Sequence, residues 1–286
     1  MMRKTRLVQH QSVTLATEAF GDPGDPPLLL IMGATASMLG WHDEFCTALA
    51  ECGLYVIRFD HRDTGQSTTV PPGQATYAVE DLADDAIAIL DAYGIDKAHV
   101  AGMSLGGYIA QMLAVARAER VVSLTLIASE PLGWDGVELP HISQAFLDHF
   151  SALGALDWLD QTAVADFLVE SERLCAGTGT PFDEVRERAR VNRVMSRTHS
   201  LPSMFNHATV STREDWTGRF REIRCPVLVL HGAEDPILPI ENGRAIADGI
   251  SGASLTVLAN TGHEIPLPRI PEIAGRIAVQ VRRGKV

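Results

Sequence analysis

Basic side chains are in short supply. The 286-residue chain has 24 lysines and arginines against 36 aspartates and glutamates, a formal net charge of −12. Nucleic acid and anionic membrane surfaces both select for positive patches, so that deficit disfavours either as a partner. Cysteine is scarce as well. Cys46, Cys52, Cys175 and Cys225 show no metal-ligand spacing, and Cys46 and Cys52 fall on different sides of one predicted helix. All four read as reduced core or surface thiols, the usage expected of a cytoplasmic protein, and no metal is expected. Long apolar runs are missing, so no stretch is expected to span a bilayer. Near the start Arg3, Lys4 and Arg6 supply charge, but Gln9, His10, Gln11 and Ser12 interrupt any apolar segment; neither a signal peptide nor an anchor is expected. Repeats and low-complexity segments are absent. With 46% hydrophobic and 21% charged residues the composition excludes disorder, and the length suits one large α/β domain or a domain carrying an insertion.

Short apolar runs alternate with amphipathic stretches. Two antiparallel edge strands are predicted between about Leu7 and Phe20, followed by the dense turn signal Gly21-Asp-Pro-Gly-Asp-Pro-Pro27. Leu28–Ile31, Leu54–Phe59, Ala98–Ala101, Val121–Ala128, Pro226–Gly232 and Ser254–Leu258 read as strands, the continuous apolar ones as buried on both faces. Helices are expected where Trp41, Phe45, Leu49 and Cys52 recur, from about Tyr77 to Tyr93 with Gly94 as the C-cap, behind Ser104 to Arg117, over Ile240–Ile250 and over Pro271–Arg282. This rhythm predicts an α/β fold with a mostly parallel, eight-stranded sheet covered on both faces. The rhythm breaks between about Glu130 and Gly218, where His141–Leu153, Leu156–Cys175 and Pro181–Ser196 read as helices and no buried strand occurs. The expected division is a core of residues 1–130 and 218–286 and a helical lid of residues 131–217. Trp134, Phe146, Phe150, Trp158, Met195, Met204 and Phe205 are the lid's apolar candidates for its inner face.

The chemistry centres on Val100-Ala101-Gly102-Met103-Ser104-Leu105-Gly106-Gly107. Gly102-x-Ser104-x-Gly106 between an apolar run and an apolar-periodic helix reads as a nucleophile elbow, a sharp turn in which strand and helix backbones nearly collide. The plainer alternative is a glycine-rich strand–helix turn. A serine hydroxyl needs a base, and the base needs an orienting acid, in the chain order serine, acid, histidine. Asp235 and His263 each follow a predicted strand and complete that order with Ser104. Asp235 could instead cap the following helix, with Glu234, Glu130 or Asp135 as the acid. His99 and His231 are better explained by packing and hydrogen bonding, whereas His10, His42, His61, His141, His149, His199 and His207 have no place in the order. The oxyanion needs two backbone donors: Leu105 N–H at the start of its helix, and a residue of the Met32-Gly33-Ala34 loop, most plausibly Ala34. Asp60-x-Arg62-x-x-Gly65-x-Ser67 reads as a loop brace, with Arg62 and Asp63 expected to pair. Gly102-x-Ser-x-Gly106 lacks the lysine of a phosphate-binding loop and the spacing of a dinucleotide fingerprint, which excludes a nucleotide-binding turn.

From end to end the chain resembles the α/β-hydrolase superfamily. Met32-Gly33-Ala34, Trp41-x-Asp43-Glu44-Phe45, Val56-Ile-Arg-Phe-Asp-His-Arg-Asp-Thr-Gly-Gln-Ser67 and Gly102-Met-Ser-Leu-Gly106 resemble the aclacinomycin (anthracycline) methylesterase group, closely from about Leu28 to Ala128. That resemblance implies Ser104 as nucleophile, Asp235 as acid, His263 as base, and Ala34 and Leu105 as oxyanion donors. It also implies a cofactor-independent esterase acting on a small-molecule ester with a bulky, aromatic acyl part. Met103, Trp134, Phe146, Phe150, Met204 and Phe205 are the expected substrate contacts, and a monomer or homodimer is the expected state. A general carboxylesterase, a perhydrolase, a C–C bond hydrolase on the same triad, and a ligand receptor that kept only the fold are the alternatives.

Overall fold

The computed structural model describes residues 4–284, so Arg3 of the basic N-terminal group lies outside the described residues. Eight strands, β1 (Lys4–His10), β2 (Val13–Phe20), β3 (Pro27–Ile31), β4 (Tyr55–Phe59), β5 (Ala98–Met103), β6 (Val121–Ile127), β7 (Val227–Gly232) and β8 (Ser254–Leu258), form one sheet in the order β1-β2-β4-β3-β5-β6-β7-β8. The β1–β2 and β2–β4 pairs are antiparallel, and every other neighbour is parallel. Three helices, α1 (Asp43–Glu51), α2 (Val79–Ala92) and α3 (Leu105–Ala116), precede β6, and α4 (Gln144–Ser151) opens the segment between β6 and β7. They are followed by α5 (Gln161–Cys175), α6 (Glu184–Arg197), α7 (Ile240–Gly249) and α8 (Ile270–Arg283).

The two-residue period of a strand sorts the apolar runs into two cores. In β3, Leu29 and Ile31 join Leu82, Ala86 and Ile89 of α2 and Ile109, Met112 and Leu113 of α3. Leu28 and Leu30 point the other way, onto Phe45 and Leu49 of α1 and Ile273 and Ile277 of α8. Burial on both faces is why these strands read as unbroken apolar runs. Trp41, expected on the first helix, lies just before it and is buried, its ring stacked 5.7 Å from Phe45. Cys46 is buried on α1 and Cys52 exposed at its end, and all four thiols are free. One full charge is buried beside this helix: the Arg58 guanidinium donates to Glu18 (3.0 Å from Nε), to Asp43 and to the Trp41 carbonyl.

Between β6 and β7 the chain makes α4, α5, α6 and a 3-10 helix over Pro202–Thr209, with no strand. The three α-helices start several residues later than apolar periodicity predicts, because polar side chains fix their first turns. Ser143 Oγ accepts from Phe146 N–H, Asp160 from Thr162 and Ala163 N–H, and Asp183 from Arg186 N–H. Asp183 closes what apolar spacing alone extends back to Pro181. The insertion is tied to the sheet by Arg197 of α6, whose two terminal nitrogens donate to the two oxygens of fully buried Asp60, at 2.9 and 2.7 Å. Among the described residues, no helix is long and apolar enough to cross a membrane.

Candidate active site

Ser104 links β5 to α3 at φ 53°, ψ −123°, a conformation that costs about 1–3 kcal/mol and persists only where its surroundings enforce it. The enforcement comes from glycine. A side chain on Gly102 would strike the Gly106 carbonyl, and one on Gly106 would strike the carbonyl of Ile31. Backbone bonds complete the turn: Ser104 N–H donates to the Ile127 carbonyl (3.0 Å), and Ser129 Oγ–H donates to the Ser104 carbonyl (2.9 Å). The serine hydroxyl makes no capping bond to α3 and stays half-exposed at the sheet's C-terminal edge.

Asp235 and His263 leave the same edge, after β7 and β8. Asp235 uses its two oxygens differently. Oδ1 accepts from Ile237 N–H (2.9 Å) and Leu238 N–H (2.8 Å), while Oδ2 accepts from His263 Nδ1–H at 2.8 Å. It therefore does both jobs that its position suggests, bracing the local turn and facing a histidine, although α7 itself starts only at Ile240. Burial works to raise the Asp235 pKa, but the bond to His263, the positive charge that His263 can carry and the Leu238 N–H outweigh it and hold the carboxyl below its ordinary value. With Nδ1–H committed to an ionised carboxylate, the neutral ring carries its lone pair on Nε2. His231, fully buried, donates from Nε2–H to the Leu238 carbonyl (2.6 Å), and burial lowers its pKa, which keeps it neutral beside Asp235.

The other acids have different employment. Glu234 accepts from Thr178 N–H and Oγ–H, both at 2.8 Å, and Asp135 pairs with Arg221 at 2.8 Å. Glu130 is half-buried, and burial raises its carboxyl pKa. His99 meets Ser123 Oγ at 2.8 Å inside the sheet. Arg62 does not pair with Asp63. It makes a two-pronged bond to Asp85 (2.6 and 2.8 Å), because the Asp63 oxygens are taken by Val70 N–H, Tyr77 O–H and Asn206 Nδ2–H. The bracing role stands with changed partners.

The Met32–Thr35 loop runs beside the elbow: a side chain on Gly33 would come within 3.1 Å of Ser104 Cβ, and Thr35 has φ 61°. Ala34 is half-buried in this loop, and Leu105 is the first residue of α3. Two histidines that sequence order passes over grip the loop. His61 Nε2–H donates to the Met32 carbonyl (3.0 Å), and Thr35 N–H donates to His207 Nδ1 (3.1 Å). No sequence signal marks His207, since its partners are backbone groups more than a hundred residues away.

Alongside the loop is a cavity of about 80 Å³ lined by Thr35, Ala36, Ser37, Phe150, Leu168, Val191, Val194, Met204 and Phe205 and by the polar Ser171, Glu172 and Arg190. Phe146 stands behind it, stacked on Phe150 at 4.6 Å, and Trp158 packs on Phe205 at 5.7 Å. Trp134 does not line this cavity; its ring lies on Phe220 with Arg221 over it, and its Nε1–H donates to the Val137 carbonyl. Met103 is buried in the core that faces α1 and α8, and Met195 packs with α5 and α6. Among the described residues, no group of three His, Cys, Asp or Glu side chains could hold a metal ion.

The chain belongs to the alpha/beta hydrolase fold family, whose model matches residues 26–269. It is a hydrolase by fold and relationship. More particularly, it is similar to the rhodomycin D methylesterase DauP of Streptomyces sp. (strain C5), 35% identical over 99% of both chains. The rhodomycin D methylesterase DnrP of Streptomyces peucetius is 34% identical over 99% of both. The enol-lactonase from Burkholderia xenovorans LB400 shares the fold, with a TM-score of 0.74, 20% identity and coverage of 97% of this chain and all (100%) of that one. The resemblance to anthracycline methylesterases carried by the core motifs thus extends through the insertion.

Proposed function

We propose that the protein is a carboxylic ester hydrolase in which Ser104, Asp235 and His263 form the catalytic triad, and that its substrate is the methyl ester of a bulky, apolar, aromatic acid. His263 Nε2 takes the Ser104 proton as Oγ attacks the ester carbonyl, and Asp235 steadies the imidazolium. Ala34 and Leu105 N–H groups receive the oxyanion, the latter at the positive end of α3. The tetrahedral intermediate collapses, methanol leaves with the proton from His263, and water admitted by the same base releases the acid from Ser104. The observation that carries this reading is the 2.8 Å bond from His263 Nδ1 to the buried carboxylate of Asp235, at the sheet edge that also presents Ser104 on its strained turn.

Residues 131–217 serve as the lid, and Phe150, Met204 and Phe205 supply the apolar wall for the acyl part, with Phe146 supporting them. Four free thiols fit a reducing, cytoplasmic setting. The relatives' named action on rhodomycin D supports an anthracycline-type substrate. Ser104→Ala abolishes turnover of aromatic methyl esters and labelling by a fluorophosphonate while leaving the thermal midpoint nearly in place. Ester hydrolysis surviving in that variant refutes the triad, and uniform inactivity of the intact enzyme on bulky aromatic methyl esters refutes the substrate class.

A further inference from the structure

The Met32–Thr35 loop is held at both ends by imidazoles from different parts of the chain. His61, just past β4, is fully buried and donates Nε2–H to the Met32 carbonyl. His207, from the 3-10 helix of the insertion, is also buried; its Nδ1 accepts from Thr35 N–H at 3.1 Å and its Nε2–H donates to the Arg62 carbonyl at 2.8 Å. The two partners of His207 demand one form of the ring, neutral with the proton on Nε2. Thr35 is the residue after Ala34 and sits at φ 61°, where a threonine stays only if something holds it. The bond to His207 is that hold. It fixes the peptide plane next to the one that carries the oxyanion donor.

We infer that His207 is a positioning residue for ester hydrolysis: through its Nδ1 acceptor it sets the orientation of the Ala34–Thr35 backbone, so that the oxyanion site is completed by the helical insertion and not by the sheet alone. The inference rests on the proposed triad and adds to it a group that touches neither substrate nor serine. Supporting contacts around the ring leave little slack, with His61 edge-on at 5.8 Å between ring centres and Tyr77 at 6.5 Å. Ionisation of His207 would place an N–H on Nδ1 against the N–H of Thr35, and burial opposes it by lowering the pKa.

The test compares two amides of different reach. In His207→Asn the amide oxygen takes the place of Nδ1 and can accept from Thr35 N–H, whereas in His207→Gln the amide reaches the Arg62 carbonyl and leaves Thr35 N–H without an acceptor. On a p-nitrophenyl ester, His207→Gln and His207→Leu lose about 10- to 100-fold in kcat with KM within about threefold, part of the loss expected when one oxyanion donor is removed outright. His207→Asn stays at least about fivefold above His207→Gln, and affinity for a trifluoromethyl ketone, whose hemiketal oxyanion occupies the same site, falls in parallel with kcat. Equal kcat in folded Asn and Gln variants, or a loss confined to KM, overturns the inference. Should the variants unfold, ¹⁵N spectra of the intact enzyme decide it: Nδ1 of His207 is unprotonated throughout the active pH range, and a protonated Nδ1 refutes the proposal. Failure of the triad itself would show separately, as hydrolysis persisting in Ser104→Ala.

Discussion

Replacing Asp235 by asparagine isolates what the carboxylate does for His263, the base we propose. Asp235 Oδ1 already holds two backbone N–H groups, of Ile237 and Leu238, while Oδ2 holds His263 Nδ1–H. An asparagine must choose. With its amide oxygen on the two backbone donors it turns NH₂ toward His263, so Nδ1 has to accept and the ring proton moves to Nε2, where it blocks removal of the serine proton. The opposite rotamer restores the productive tautomer but sets NH₂ against two buried N–H groups, each costing about 1–3 kcal/mol when left unsatisfied. The sum, about 2–6 kcal/mol, favours the unproductive form by roughly 30-fold to 10⁴-fold at 1.4 kcal/mol per decade. Loss of the negative charge behind the imidazolium adds to this, so kcat for a methyl ester should fall by at least about 10³-fold, toward the roughly 10⁴-fold associated with a triad histidine held in the wrong tautomer. The thermal midpoint of Asp235→Asn should stay close to that of the parent, whereas Asp235→Ala, which abandons both N–H groups, should lose about 2–6 kcal/mol in denaturant unfolding. Steady-state kinetics and urea melts on the two variants suffice. A kcat within tenfold of the parent in Asp235→Asn would falsify the orientation argument.

Gly106→Ala drives a methyl group into the Ile31 carbonyl and should cost about 1–3 kcal/mol of stability together with most activity; parent-like kinetics would show that the elbow has room. Phe205→Ala should raise KM for a bulky aromatic methyl ester roughly 10-fold through lost apolar contact, while Trp134→Ala, outside the cavity, should leave KM in place. A reversed pattern would relocate the acyl site. Burial lowers the His61 pKa to about 3. The unfolded chain therefore takes up that proton first, and stability drains away as the pH falls from about 6.5 toward 3, at about 1.4 kcal/mol per unit for one proton. His61→Gln, which does not titrate, should show a slope shallower by one proton in unfolding measured between pH 4 and 6. Equal slopes would mean that the ring is solvated.

The elbow and the Asp235–His263 pair were legible because each residue sits just past an apolar run, and parallel strands carry such positions to one rim. The strands were legible for a related reason, since β3 and its neighbours are buried on both faces and advertise it by composition. Legibility ended where contacts are long-range. The starts of α4, α5 and α6 are fixed by Ser143, Asp160 and Asp183, single polar residues that periodicity does not register. Arg62 was paired with its neighbour in sequence, but that neighbour's oxygens face Tyr77 and Asn206, and the guanidinium reaches α2 instead. Trp134 and Phe205 are equally apolar in the sequence, and only packing separates a ring laid on Phe220 from one lining the cavity. Nothing in the periodicity marks the 3-10 helix over Pro202–Thr209 that carries His207.

The end of α5 reaches past the sheet's rim to His263: the Cys175 carbonyl accepts His263 N–H at 2.8 Å, Gly177 N–H donates to Glu264, and Thr178 grips Glu234. A segment docked in this way is a buttress. Replacing the helices between β6 and β7 with foreign ones would remove the prop beneath the His263 imidazole, so a successful chimera must retain residues 175–180 from this chain or redesign the support of His263.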